Sequence, residues 1–190
     1  MSLEYSISAE VARILSMSWD IQEGQSVPLT DSIALAGGAK RFEAAVMYAD
    51  LSQSSKLSTD FSQRTAAKVI RAFLYCMCRL IKEMQGEITS FDGDRVMGIF
   101  IGNAKNTNAA TCALKMNYVL QRVIQPKLSQ HFQSLRNEGF LISHCVGIDT
   151  SQVLVVRAGQ RGANDLVWIG RAPKERTIIH HLFQRMYSHA

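Results

Sequence analysis

Residues 87–101 read EITSFDGDRVMGIFI, two apolar runs on either side of the tripeptide Asp92-Gly93-Asp94. Asp-Gly between apolar segments is among the strongest short signals for a β-hairpin, because glycine adopts the positive φ that tight hairpin turns require. This stretch therefore predicts two antiparallel strands, and the rest of the fold is worked out from it.

The flanking segments complete a known order of elements. An apolar run over 42–51 predicts a strand, and apolar residues at three- and four-residue steps over 61–84 predict a long amphipathic helix that Gly86 ends. Beyond the hairpin we predict a helix over 106–137, bent at Pro126. Three further strands are predicted over 140–148, 152–156 and 165–169. The order predicts an α+β fold, a ferredoxin-like βαββαβ core with an additional C-terminal β-hairpin.

The chain has 190 residues, a length that fits one domain. We expect residues 1–41 to form a helix over 8–19 and a polar connector, and residues 42–190 to form the domain itself. Hydrophobic residues at 47% and charged residues at 19% exclude a disordered chain. No apolar run reaches the ~20 residues of a membrane span, and the first residues lack the basic start of a secretory signal, so we expect a cytoplasmic protein with no membrane partner.

The formal net charge is +5, which suits a polyanionic partner such as a nucleoside triphosphate or a nucleic acid. An ordinary solvated basic surface gives the same value. The four cysteines do not have zinc-site spacing, so buried free thiols are expected at Cys76, Cys78, Cys112 and Cys145.

Two acids are predicted to meet at one edge of the sheet. Asp50 closes the first predicted strand and Asp94 lies in the hairpin turn, and these elements are neighbours in a βαββαβ sheet. Two carboxylates at one point suit Mg²⁺ or Mn²⁺ with a triphosphate, although capping by Asp50 and turn formation by Asp94 explain the same residues. Ser54 and Ser55 follow in a small turn before a helix, where they either cap the helix or lie beside a bound phosphate.

The residues around these acids resemble a known family. Tyr48-Ala49-Asp50-Leu51 and the segment FDGDRVM at 91–97 resemble the two metal motifs of class III nucleotidyl cyclases. Val146-Gly147-Ile148 is similar to the central strand of that family, and Trp168-Ile169-Gly170 to its approach to the catalytic helix, so the resemblance covers about residues 42–172. More narrowly, the segments YADLSQSS, FDGDRVM and NDLVWIGRAP resemble the pyrimidine cyclases of bacterial Pycsar anti-phage systems.

The resemblance implies a head-to-tail homodimer with active sites between the protomers. It implies that Asp50, Asp94 and the backbone carbonyl of Leu51 bind two divalent cations, Mn²⁺ or Mg²⁺, and that the two aspartates are catalytic. The ribose 3′-hydroxyl of a nucleoside triphosphate would attack the α-phosphorus, so that pyrophosphate leaves and a 3′,5′-cyclic nucleotide forms. In an anti-phage system that product would act on a separate effector protein that the cyclase does not contact.

The choice of base is inferred from four positions. Purine-using cyclases have Lys or Glu at the position of Ser90 and Asp or Thr at that of Val167, so neither usual purine contact is present. Tyr48 shortens the pocket unless it only packs the strand. Arg95, unless it is only a solvated charge, donates to uracil O2 or O4 or to cytosine O2 or N3. Because arginine cannot accept from the cytosine amino group, we expect UTP to be preferred to CTP.

The C-terminal segment departs from the family. Cyclases have an Asn and, four residues later, an Arg or Lys at the positions that hold Lys174 and Ile178 here. Lys174 or Arg176, and also Arg171, are candidates to replace the missing phosphate donors.

The expected function is that of a uridylate cyclase acting in bacterial anti-phage defence. The alternatives are a cytidylate cyclase and a catalytically impaired domain that binds nucleotide or dimerises. An RNA-binding sheet is disfavoured, because Tyr48, Phe91 and Phe100 do not form the paired strand aromatics of that class, and nucleic acid is therefore not an expected partner.

Overall fold

A computed structural model of the protein describes residues 2–174. The strands are β1 (Asp20–Glu23), β2 (Gly38–Ser52), β3 (Glu87–Asp92), β4 (Arg95–Phe100), β5 (Ser143–Gln160) and β6 (Ala163–Gly170). They form one sheet in the order β3-β4-β2-β5-β6 with antiparallel pairing, while β1 pairs parallel with the start of β2. The order confirms the predicted βαββαβ core and the extra hairpin.

Helices connect these strands. They are α1 (Leu3–Leu15), α2 (Ser54–Asp60), α3 (Gln63–Glu83), α4 (Lys105–Val119), α5 (Gln125–His131), α6 (Gln133–Asn137) and α7 (Arg171–Lys174). A π-helical turn over Leu120–Ile124 joins α4 to α5 just before Pro126, which accounts for the interruption predicted there. No helix within residues 2–174 is both long and apolar enough to cross a membrane.

Alternation along β2 separates two cores. Ala45, Met47 and Ala49 point to the larger core, where they pack against α3 and α4 through buried side chains such as Phe73 and Met116. The residues between them, including Val46, point to a smaller core on the opposite face, completed by Phe42, Met97, Ile99, Val153, Ile33 and Ala172. Tyr48 and Asp50 continue the row of Val46, so the predicted site lies on the face that the long helices do not cover.

The end of α3 explains the role of Gly86. Gln85 adopts a φ of 62°, and the N–H of Gly86 donates to the carbonyl of Ile81 at 2.8 Å. A Cβ on Gly86 would lie 2.7 Å from the ring of Phe100, so the helix ends where only glycine lets the chain pass this close to β4.

Some predicted elements were wrong. The strands expected at 140–148 and 152–156 are one continuous strand, β5, because it pairs with β2 from Ser143 to Val156 without a break. The N-terminal helix begins at Leu3, where Ser2 caps it, and not at Ser8. The connector also contains a strand, β1. Gln53, in a left-handed conformation, precedes α2, so Ser54 and Ser55 are its first residues and not its cap.

Candidate active site

Asp50 and Arg95 face each other directly across the ladder of β2 and β4. The Arg95 guanidinium donates from Nε to Oδ1 and from Nη2 to Oδ2 of Asp50, at 3.2 Å each. The side chains are 17% exposed at Asp50 and 20% exposed at Arg95, so the charge-assisted pair is partly shielded from water. Hydrogen bonding to Asp50 raises the pKa of Arg95 against the opposing effect of burial, and the guanidinium stays charged.

Asp94 lies in the turn between β3 and β4, immediately before Arg95, as the sequence predicted. Asp92 lies opposite Arg95 on β3, and the negative charges of Asp50, Asp92 and Asp94 all act on the guanidinium. Three carboxylates therefore act electrostatically on the Arg95 guanidinium, which is hydrogen-bonded to Asp50. Pairing with Asp50 also means that Arg95 is not a free solvated charge.

One oxygen of Asp94 fits a metal ligand. Its Oδ2 is buried and has no hydrogen-bond partner within the described residues. A buried carboxylate oxygen without a donor is costly, and a hard divalent cation is a partner that would satisfy it. Residues 2–174 contain no ready-made group of three or more His, Cys, Asp or Glu ligands. A cation held by Asp94 and Asp50 would therefore complete its shell with substrate oxygens or water.

Tyr48 lies two residues before Asp50 on the same face of β2. Its hydroxyl donates to the carbonyl of Pro173 in α7 at 3.3 Å, and its ring packs against the smaller core. Ser90 lies on β3 opposite Met97, which in turn lies opposite Tyr48, so Ser90 belongs to the same patch of the sheet. Four predicted residues, Tyr48, Asp50, Ser90 and Arg95, are thus brought together on three adjacent strands.

Cys145 is a neighbour that the sequence reasoning missed. It lies opposite Asp50 on β5, so Asp50 is flanked by Arg95 on one side and a thiol on the other. Burial raises the pKa of the Cys145 thiol, and Asp50 raises it further while Arg95 lowers it. The Cys145 thiol therefore borders the site as an uncharged group. Only the β2–β5 register reveals it, since nothing in the local sequence marks this cysteine.

The other candidates differ in how far they lie from Asp50 within one protomer. Val167 is on β6, which pairs with β5 between Val153 and Gln160, far along the strand from Cys145. The side chain of Leu51 is buried in the larger core. Ser54 and Ser55 begin α2, at the end of β2 that carries Asp50.

The C-terminal candidates are only partly described. Arg171 donates to Asp149 Oδ1 at 3.0 Å and to the Thr150 carbonyl at 2.9 Å, which ties it to β5. The second oxygen of Asp149, a residue the sequence did not single out, is buried without a hydrogen-bond partner in the described part of the chain. Lys174 is the last residue of α7, and Arg176 and Ile178 lie outside the described residues.

Comparison with known sequences finds close relatives. The chain is 41% identical to a uridylate cyclase of Rhodovulum sp. (strain MB263), over 91% of this chain and 72% of that protein. It is 42% identical to a uridylate cyclase of Burkholderia cepacia, over 90% of this chain and 74% of that protein. No protein-family model matches the chain.

Comparison with solved structures supports the fold. A bacterial light-regulated adenylyl cyclase superposes with a TM-score of 0.67 at 20% identity, over 80% of this chain and 42% of that one. At this identity the likeness concerns the fold alone, and it agrees with the strand order described above.

Proposed function

The chain belongs to the uridylate cyclases, and on that basis we propose that it converts UTP into 3′,5′-cyclic UMP and pyrophosphate. The observation that carries the proposal is the pair of aspartates at the β3–β4 turn and the end of β2, one of which presents a buried, unpartnered oxygen. The ribose 3′-hydroxyl attacks the α-phosphorus in line, and pyrophosphate leaves.

Asp50, Asp94 and the Leu51 carbonyl are the proposed ligands of two divalent cations, Mn²⁺ or Mg²⁺. Such ions would favour ionisation of the 3′-hydroxyl and offset the charge of the triphosphate. Ser54 and Ser55 lie four and five residues after Asp50, in the first turn of α2, and are proposed to contact the phosphates. Lys174 or Arg176 remain the proposed replacements for the missing phosphate donors.

Arg95 is proposed to change partners during substrate binding. Both oxygens of Asp50 accept from its guanidinium, and a cation that takes up the same lone pairs would displace Arg95 from them. The released guanidinium then offers its donors to uracil O2 or O4. Binding of the base and binding of a cation to Asp50 are in this way linked through the side chain of Arg95.

Base selectivity follows from the same patch. Tyr48, held by its bond to Pro173, limits the depth available to a base, and the short Ser90 lacks the reach of a lysine or glutamate. A purine edge left unpaired in a buried pocket costs roughly 1–3 kcal/mol, or about 5- to 150-fold in discrimination. CTP is the closest alternative substrate, because cytosine O2 and N3 also accept from arginine.

A homodimer is proposed as the working form. Val167 lies far along β5 from the acids in one protomer, so a second protomer would be needed to bring this position to the site. In addition, α1 buries none of its residues, although a lone helix of this length is marginal in water. Its exposed apolar side chains, including Leu3, Ile7, Val11 and Ile14, favour coverage by a second copy.

The cellular role is proposed from the resemblance described above. The cyclic nucleotide would serve as a signal in bacterial anti-phage defence and act on a separate effector protein. Nucleoside triphosphates are supplied inside cells, so the proposed location is the cytoplasm. Residues 42–190 are the proposed catalytic domain.

The specific observation that favours the second candidate function, a domain that binds nucleotide without turnover, is the lysine at position 174 where cyclases have an asparagine. One experiment distinguishes the two. Purified protein is incubated with UTP and Mn²⁺, and cyclic UMP is measured by mass spectrometry for wild type, Asp94→Asn and the exposed control Asp20→Asn. We expect wild type and Asp20→Asn to form the product and Asp94→Asn to form none, with weakened Mn²⁺ binding and an unchanged circular dichroism spectrum. Full Mn²⁺ affinity in Asp94→Asn would contradict the assignment, and nucleotide binding without product in wild type would favour the second function.

A further inference from the structure

The outward face of α3 carries a row of five basic residues and one tyrosine. Six exposed side chains follow one another at steps of three or four residues, on the side opposite the buried positions Val69, Phe73 and Met77. This basic stripe consists of Arg64, Lys68, Arg71, Tyr75, Arg79 and Lys82. It spans roughly 27 Å at the rise of an α-helix.

Little within the described residues neutralises these charges. Lys82 pairs with Glu87, whereas Arg64, Arg71 and Arg79 take part in no ion pair in residues 2–174. The Lys68 ammonium lies 5.8 Å from the centre of the Phe132 ring. Like charges one turn apart repel each other, so the stripe lowers helix stability unless a polyanion binds it.

An exposed aromatic ring lies within the stripe. Tyr75 is 66% exposed, with Arg71 and Arg79 one turn away on either side. A second tyrosine, Tyr118 on α4, is 64% exposed. Contacts of Gln85 with Asn108 and of Lys68 with Phe132 place α3 antiparallel to α4 and α5, so the middle of α3 is level with the C-terminal part of α4.

We propose that the basic stripe binds single-stranded nucleic acid. Phosphates of a polynucleotide pair with a row of cations, and exposed tyrosines flanked by arginines are surfaces on which unpaired bases stack. A duplex fits less well, because α4 packs beside α3 and two adjacent helices do not both enter a groove about 12 Å wide. The apolar face of α3 is buried in the core, so the helix has nothing to insert into a membrane.

This inference replaces the expectation that nucleic acid is not a partner. That expectation rested on the strand aromatics alone, whereas the stripe lies on the exposed face of a helix and includes none of them. It does not depend on the proposed cyclase activity, since none of the stripe residues belongs to the site around Asp50.

The test measures binding of a fluorescent 20-nucleotide single strand, as DNA and as RNA, by anisotropy. The stripe variant Arg71→Glu/Arg79→Glu is compared with Arg13→Glu/Arg161→Glu, which changes the net charge equally at exposed residues elsewhere. We expect at least a tenfold loss of affinity in the stripe variant, little change in the control, and a several-fold loss in Tyr75→Ala with charge unaltered. If all five basic side chains of the stripe contact phosphates, the affinity for the single strand should fall about 100-fold between 50 and 200 mM salt.

Parallel measurements use a duplex of the same length, vesicles with anionic lipid, and polyglutamate. The proposal is supported if the single strand binds more tightly than all three and the stripe variant alone loses it. It is overturned if wild type does not bind the strand at 50 mM salt, if both double variants lose affinity equally, or if vesicles or polyglutamate bind as tightly. Cyclic UMP formation, measured alongside, should be unchanged in the stripe variant without nucleic acid.

Discussion

Removal of Arg95 separates cation binding from base recognition. Both oxygens of Asp50 accept from Arg95, and on the proposed exchange of partners a cation that binds Asp50 displaces two charge-assisted hydrogen bonds. Charge-assisted hydrogen bonds contribute roughly 1.5–3 kcal/mol each. The N–O distances between Arg95 and Asp50 are 3.2 Å, at the long end of the usual range, so we assign roughly 1.5 kcal/mol to the two bonds together. That energy corresponds to about tenfold in affinity. Arg95→Ala should therefore bind Mn²⁺ about tenfold more tightly than wild type in the absence of nucleotide.

The same variant should lose turnover with UTP. The uracil carbonyls lose their donor, which at roughly 1–3 kcal/mol predicts a loss of about 5- to 150-fold in kcat/KM. Titration calorimetry with Mn²⁺ and steady-state cyclisation of UTP measure the two effects. The matched control is Arg157→Ala, because Arg157 is buried to a similar degree and pairs with Asp31 at 2.9 Å, away from the acids. Unchanged or weaker Mn²⁺ binding in Arg95→Ala would refute the idea that Arg95 and a cation compete for Asp50.

Three further predictions concern base choice, assembly and pH. Tyr48→Ala removes the ring that limits the pocket, so ATP turnover relative to UTP should rise in competition assays; an unchanged ratio would assign Tyr48 to packing only. Ile7→Glu/Ile14→Glu on α1 should shift the dimer towards monomer in light scattering, whereas a monomeric wild type would contradict the dimer proposal. Burial lowers the pKa of His144, because the folded state favours the neutral imidazole. This contribution to stability is fully present above pH 6.5, the ordinary pKa of histidine, and is lost as the pH falls towards the lowered pKa of the folded state. The free energy of unfolding should accordingly drop between pH 7 and pH 5.5, and drop less in His144→Gln; equal drops would exclude His144 as the cause.

The elements that could be predicted from the sequence are those with strong local signals. The β3–β4 hairpin follows from Asp92-Gly93, and α3 follows from an apolar period of three to four residues that tertiary packing reinforces. The continuity of β5 could not be predicted, because polar residues near Asp149 and Ser151 resemble a break. Pairing with β2 along its length overrides that local signal. The four residues of β1, all exposed, form a strand only because they pair with the start of β2.

The site shows the same division. The two aspartates could be found from motif spacing and strand adjacency, but the contact of Arg95 with Asp50 depends on the exact register of β2 and β4. A slip by one residue would turn every side chain of a strand to the opposite face. Spacing in the chain does not encode that register, so the sequence assigned Arg95 to the base and missed its bond to the acid. Cys145 was missed for the same reason.

The most direct test of the central claim is a competition in a single tube. Equal concentrations of UTP, CTP, ATP and GTP are incubated with wild-type protein and Mn²⁺, and the four cyclic nucleotides are quantified together by mass spectrometry. A uridylate cyclase built around Asp50, Asp94 and the Tyr48–Arg95 patch should form cyclic UMP fastest, cyclic CMP more slowly and the purine products least. Formation of cyclic AMP or cyclic GMP faster than either pyrimidine product would contradict the account.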